Sequence, residues 1–281
     1  MPAIGIEARS FTLAFPTVSI RRILNRLLSM KLLTPVVLLL GLAGVSLTQV
    51  KKPEPQASKP PFEKSLQAIV VTTDDWNSVH GMARMVERAK PGAMWKVIGD
   101  SLPVVVGKNG LGLDAVWKLS SSDAPKKREG DGKAPAGLFP LITTFGNADV
   151  GSKLPFTKLD EFTECVDDTN SAFYNKIVKR MQVGNFDWKS SEKMFTVRPQ
   201  YDLGVFVGYN SYPPVRGRGS CIFLHIWKDA DTGTAGCTAM ARENLERVVR
   251  WLDPAKNPYL VQMTREEYLS QRKYFKLPKI N

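Results

Sequence analysis

Between about residue 100 and residue 230 the apolar residues come in short runs, and glycine, proline, asparagine or aspartate interrupts them repeatedly. A chain punctuated in this way does not sustain long helices there, but it suits short strands joined by turns. Strands are predicted over residues 102–107, 115–119, 195–197, 204–209 and 221–227. Helices are predicted at three places. The first runs from a cap at Asp74 or Asp75 to Ala89, with Val79, Met82, Ala83 and Val86 on one face and Pro91-Gly92 behind it. The second covers residues 171–181. The third covers residues 243–252, where Leu245, Val248, Val249 and Leu252 align and Asp253-Pro254 stops the helix. The expected class is mainly β, in the α+β sense, with a mixed β-sandwich core and a few peripheral helices.

The amino-terminal segment is organised differently. Residues 32–50 carry no charge and follow Arg21, Arg22, Arg26 and Lys31. A basic stretch ahead of an apolar one, with small residues behind it, is the layout of an export signal. Gly44 and Ser46 suit its cleavage, and Met30 offers an alternative start. The other reading is an uncleaved anchor, although the densest apolar part is short for a membrane span. Residues 1–50 are thus assigned to a signal peptide or N-terminal anchor. Residues 51–62, rich in proline and lysine, are assigned to an extended linker, and residues 63–281 to one domain. Either reading brings the first segment to the membrane during export. Either also places the remainder in the periplasm or cell envelope, free or anchored to the inner membrane. Half of the net charge of +12 lies in the first 60 residues. With no arginine-rich helix and no interleaving of basic and aromatic residues, the remaining excess does not describe a nucleic-acid site.

The chain has two histidines and three cysteines, and one of each lies close together. His225 ends the apolar run 221–227, and Cys237 follows it by twelve positions in Thr234-Ala235-Gly236-Cys237-Thr238. A thiol attacks only as its thiolate, and an imidazole is the side chain suited to take its proton near neutral pH. Gly236 permits close approach to the backbone, so the N–H groups of Gly236, Cys237 and Thr238 are candidates for holding an oxyanion. The predicted helix over 243–252 starts just beyond and would favour an anion at Cys237. No CxxC pair or clustered His/Cys spacing is present, so neither a metal nor an organic cofactor is expected. His80 lies in the first predicted helix with no partner motif.

Three segments carry a family resemblance. Residues 127–139, KREGDGKAPAGLF, form a Gly-rich loop; residues 217–225, GRGSCIFLH, lead into the histidine; Thr234-Ala235-Gly236-Cys237 closes the pattern. Together they resemble the L,D-transpeptidase catalytic domain, the YkuD family, over about residues 65–270. The resemblance implies a YkuD-like β fold acting on peptidoglycan stem peptides. Cys237 would be the nucleophile and His225 its base, with a backbone carbonyl orienting the imidazole. The thiolate would attack the carbonyl between the third residue of a donor tetrapeptide and its terminal D-alanine. An acceptor amine would then resolve the thioester as a 3→3 cross-link. Hydrolysis of the same bond (an L,D-carboxypeptidase or endopeptidase) and a non-catalytic wall-binding module are the alternatives.

The family usually has histidine before the glycine, where this chain has Ala235, and often arginine or asparagine two positions after the cysteine, where it has Ala239. Arg218 or Arg242 is the replacement expected for the substrate carboxylate, and Thr234 and Trp227 are expected to line the groove. Asp131 and Lys133 read as loop anchors. With Cys237 assigned, parity suggests that Cys165 and Cys221 form a disulfide, against the alternative of two separate buried thiols. The segment from residue 146 to residue 188 is a candidate lid.

Overall fold

The computed structural model describes residues 61–117 and 123–280. The expected signal or anchor and all but the last two residues of the linker lie outside the described residues. Phe62, at the linker's end, belongs to the folded domain. It is buried against Trp95, Tyr259 and Phe275, with ring centroids 5.4–5.5 Å apart.

Eight strands close on one another. In chain order they are β1 (Gln67–Thr73), β2 (His80–Glu87), β3 (Lys96–Val105), β5 (Ala134–Gly146), β10 (Leu203–Val207), β11 (Phe223–Ile226), β12 (Thr238–Met240) and β13 (Tyr259–Thr264). Around the sheet the order is β10-β11-β12-β3-β2-β1-β13-β5, and β5 pairs back onto β10. The β1–β13 and β11–β12 pairs are parallel and the rest antiparallel, which makes the sheet mixed, as expected. Two short strands, β4 (Leu111–Leu113) and β6 (Phe156–Lys158), pair with β5 outside the ring. A separate small sheet, β8-β7-β9, is made of β7 (Thr163–Cys165), β8 (Ile177–Lys179) and β9 (Glu192–Lys193).

Strand β1 is buried along its whole length, and its middle, residues 68–71, is a continuous apolar run. Ile69 and Val71 join a core with Leu245, Val248, Val249 and Leu252, most of them from helix α1 (Arg242–Trp251). Ala68 and Val70 join a second core with Tyr268 and Phe275 of helix α2 (Arg265–Phe275). Helix α1 matches the predicted 243–252 within a residue. Helix α2, β1 and β13 are not predicted from the pattern. The signal for α2 is nonetheless present: the Thr264 hydroxyl accepts from the Glu267 N–H, the first half of a capping box.

Four predicted elements are corrected, the last of them in its described part. The segment assigned to a first helix holds strand β2 instead. A register shift between Ala83 and Met85 breaks its strict alternation and buries both Ala83 and Val86, three positions apart, a spacing that a helical face also shows. Residues 171–181 form a turn, strand β8 and the start of a 3₁₀ turn. Asn175 sits there in the left-handed region at φ 61°, which ends any helix, and its side chain bonds Tyr209 O, Asn210 O and Cys221 N. Met194–Thr196 is a 3₁₀ turn rather than a strand, closed by Thr196 Oγ1 donating to Lys193 O at 2.8 Å. Residues 115 and 116 lie in a turn, and the rest of that predicted strand beyond Trp117 is outside the described residues.

Candidate active site

Strands β11 and β12 bring the two reactive side chains to one corner. Their parallel register pairs Leu224 with Thr238 and His225 with Ala239, so Cys237 sits immediately before β12, against the start of β11. The Phe223 N–H donates to Cys237 Sγ at 3.3 Å, and the thiol donates to Cys221 O at 3.5 Å. The intervening loop is pinned by Thr234. Its hydroxyl donates to Cys237 O at 2.7 Å and accepts from Gly236 N at 3.1 Å, while its backbone bonds Val106 O and Lys108 N. Thr234 is therefore a brace of the cysteine loop. The Gly236 N–H is already occupied, so the oxyanion candidates reduce to the N–H groups of Cys237 and Thr238.

His225 is 7 % exposed and Cys237 6 %. Nδ1 of His225 lies 2.7 Å from Ile226 O, so this nitrogen carries the hydrogen and Nε2 is left as the acceptor. Burial drives the imidazole pKa down to about 4, only partly opposed by that hydrogen bond. Burial likewise pushes the Cys237 thiol far above its ordinary range, and the Glu192 charge adds to this. The Phe223 N–H and the Lys127 charge act the other way. Thiol and imidazole are thus both neutral at rest. The help expected from the start of α1 is overridden, because β12 separates that helix from the sulfur and burial dominates.

An aromatic residue connects the pair. The Tyr201 ring meets the His225 ring edge-on at 5.3 Å, and its hydroxyl faces the Cys237 sulfur. The same hydroxyl donates to Glu192 Oε2 at 2.6 Å. Among the described residues no hydrogen bond joins His225 directly to Cys237; Tyr201 touches both. Tyr201 is set by Phe145, whose ring packs on Tyr201 and Phe223 and lies over Gly204. A Cβ at Gly204 would come within 2.2 Å of that ring, so only glycine fits. On its other side Asp202 accepts from Arg242 Nη2 at 2.8 Å, which ties the Tyr201 turn to the start of α1.

The segment between β5 and β10 roofs this corner. Leu159, Cys165, Met194 and Tyr201 from it pack with Phe206, Cys221, Phe223 and Cys237. Cys165 and Cys221 form a disulfide, leaving Cys237 as the free thiol among the described residues. Through the β7–β9 pairing, Cys165 lies opposite Glu192, so this bridge also locates the carboxylate.

The remaining sequence candidates divide. Trp227 is half-buried at the end of β11 with its N–H on Met240 O. The charge of Arg218 bears on Asp114 and Tyr209, and Arg242 is held by Asp202. The cation whose charge bears on Cys237 is Lys127, whose side chain is 3 % exposed and donates to Asp131 Oδ1 at 2.8 Å. Asp131 also accepts from the backbone N–H of Arg128 and Lys133, an anchor of the Gly-rich loop. Ala239 is fully buried, so the position where relatives often carry a polar side chain is here part of the packed strand. His80 opens β2 and meets Asp231 at 3.3 Å on the surface. Glu192, Tyr201 and Lys127 were not singled out from the sequence. The first two have no spacing relation to the Cys/His pair, and Lys127 stands inside the Gly-rich loop, where only Asp131 and Lys133 read as anchors.

Two buried groups titrate in overlapping windows with opposite effects on stability. The folded state resists protonation of His225, whose pKa falls to about 4, so its contribution is lost as pH drops below the ordinary imidazole range. Glu192 is raised to about 7 by burial, so the folded state takes up its proton early and gains stability as pH drops. Each effect amounts to about 2 kcal/mol between about pH 7 and pH 5. Urea midpoints should therefore rise on acidification in His225→Gln and fall in Glu192→Gln. Identical pH slopes in both variants would refute this balance.

The model of the YkuD family, the L,D-transpeptidase catalytic domain, matches residues 93–261, more than half of the chain. No curated protein and no solved structure matches it.

Proposed function

Since the chain belongs to the L,D-transpeptidase catalytic domain family, we propose that it is an exported peptidoglycan L,D-transpeptidase with Cys237 as nucleophile and His225 as base. The observation that carries this reading is the corner itself. The free thiol is held on a braced glycine turn, in a shared packing with an imidazole whose Nδ1–H is fixed on Ile226 O and whose Nε2 is open. As the sulfur attacks the carbonyl before the terminal D-alanine of a stem tetrapeptide, its proton passes to Nε2 and then to the departing amine. The Cys237 and Thr238 N–H groups hold the oxyanion. An acceptor amine attacks the thioester, gives up a proton to the base, and releases the sulfur with a 3→3 cross-link formed.

The low exposure of Cys237 supports amine transfer over hydrolysis, because a buried thioester is shielded from bulk water. Export is supported by the uncharged run 32–50 behind four basic residues and by the Cys165–Cys221 bridge, a bond that persists in oxidising compartments. Incubation with purified muropeptides and mass analysis tests the proposal. Cross-linked dimers with D-alanine release are expected; D-alanine release with no dimer would make the protein a carboxypeptidase instead.

A further inference from the structure

The thiol and imidazole described above are both neutral and dry, and creating an ion pair there means charging two buried groups at once. The roof supplies another partner. Glu192 reaches the site from β9, opposite Cys165, and its Oε2 is 2.6 Å from Tyr201 Oη, while Tyr201 packs with Cys237 in one buried cluster. We propose that Tyr201 is a further catalytic residue, and that Glu192, acting through it, gives the Cys237 thiol a second route for its proton.

The step balances without any other reactant. The S–H proton moves to Tyr201 Oη as the Tyr201 O–H proton moves to the Glu192 carboxylate. Sulfur keeps the S–H electron pair and forms the bond to the substrate carbonyl carbon. When the tetrahedral intermediate collapses, the departing nitrogen takes a proton from Tyr201, and Glu192 returns its own to Tyr201. One negative charge shifts along the chain and no second buried charge is created, which is what a low-dielectric site favours.

The groups around the relay fit this direction of transfer. Asp167 and Glu129 both raise the proton affinity of Glu192, whereas Lys127 favours the anion at Cys237. The His225 ring meets the Tyr201 ring edge-on and is neutral at rest. The Arg242–Asp202 and Asn147–Asp202 contacts fix the turn that carries Tyr201, and the Cys165–Cys221 bridge fixes the strand beside Glu192.

This inference rests on Cys237 being the nucleophile but not on the identity of the substrate, so its test uses the thiol itself. Thiolate absorbance in the ultraviolet, corrected with Cys237→Ser, is followed against pH. The rate of single-turnover acylation by a carbapenem is followed in parallel. In the wild type the acylation rate should show a limb set by Glu192 near neutrality, and a proton inventory in mixed light and heavy water should require two protons in flight. Glu192→Gln should lose that limb and slow acylation by about 10²-fold. Glu192→Asp should restore the limb and part of the rate. Tyr201→Phe keeps the ring on His225 and should match Glu192→Gln, and the double variant should be no slower than either single. A folded Glu192→Gln with an unchanged limb, losses that multiply in the double variant, or a one-proton inventory would each overturn the relay. The inventory needs no variant, so a variant that fails to fold does not shield the proposal. Acylation of the wild type without any turnover of muropeptides would defeat the transpeptidase reading while leaving the relay standing.

Discussion

Cys237→Ala should form no covalent adduct with a carbapenem or a stem tetrapeptide and should lose turnover by about 10⁵-fold or more, the scale seen when a covalent nucleophile is removed. The other two cysteines are bridged, so no neighbouring thiol is available among the described residues to substitute for it. The replacement is sterically mild. It leaves the Phe223 N–H and the Cys221 carbonyl without their sulfur partner, but Thr234 continues to brace the loop through the Cys237 carbonyl. Folding should therefore survive, and intact-mass spectrometry beside circular dichroism reads the two effects separately. Persistence of an adduct at the wild-type rate in this variant would remove the mechanism.

Breaking the Cys165–Cys221 bridge should have the largest effect on stability. It joins positions 56 residues apart. By chain entropy, a closure of that length contributes about 4 kcal/mol, which for a domain of this size corresponds to about 10 °C in melting temperature. The double variant Cys165→Ser/Cys221→Ser should show that loss. It should also alkylate faster at Cys237, because the bridge holds the roof against the β11 strand. Asn175 still bonds the Cys221 N–H, so the segment before β11 keeps one of its two ties. Unchanged melting together with unchanged labelling would show that the roof is held by packing alone.

The sequence and the structure agree most closely where the signals are local. Helix α1 is legible because its apolar stripe and its stop, Asp253-Pro254, lie within one segment. The loop of residues 127–139 is legible because Asp131 folds it through its own neighbours. Strand β2 is misread as a helix because one bulge reproduces a helical spacing, and residues 171–181 because Asn175 breaks the pattern for a contact with distant Cys221.

By itself the sequence determined the β-rich class, the family and the Gly-rich loop, and it singled out Cys237 and His225 as the candidate pair, because turn residues and a short histidine-to-cysteine spacing act through nearby backbone. Only the tertiary structure decided how that chemistry is set. Closure of β5 onto β10 and the disulfide bring Glu192 and Tyr201, from the roof, and Lys127, from the loop, around one sulfur. Whether that sulfur rests as thiol or thiolate depends on its burial and on charges far away in the chain. Both are properties of the packed molecule, and no local run of residues encodes them.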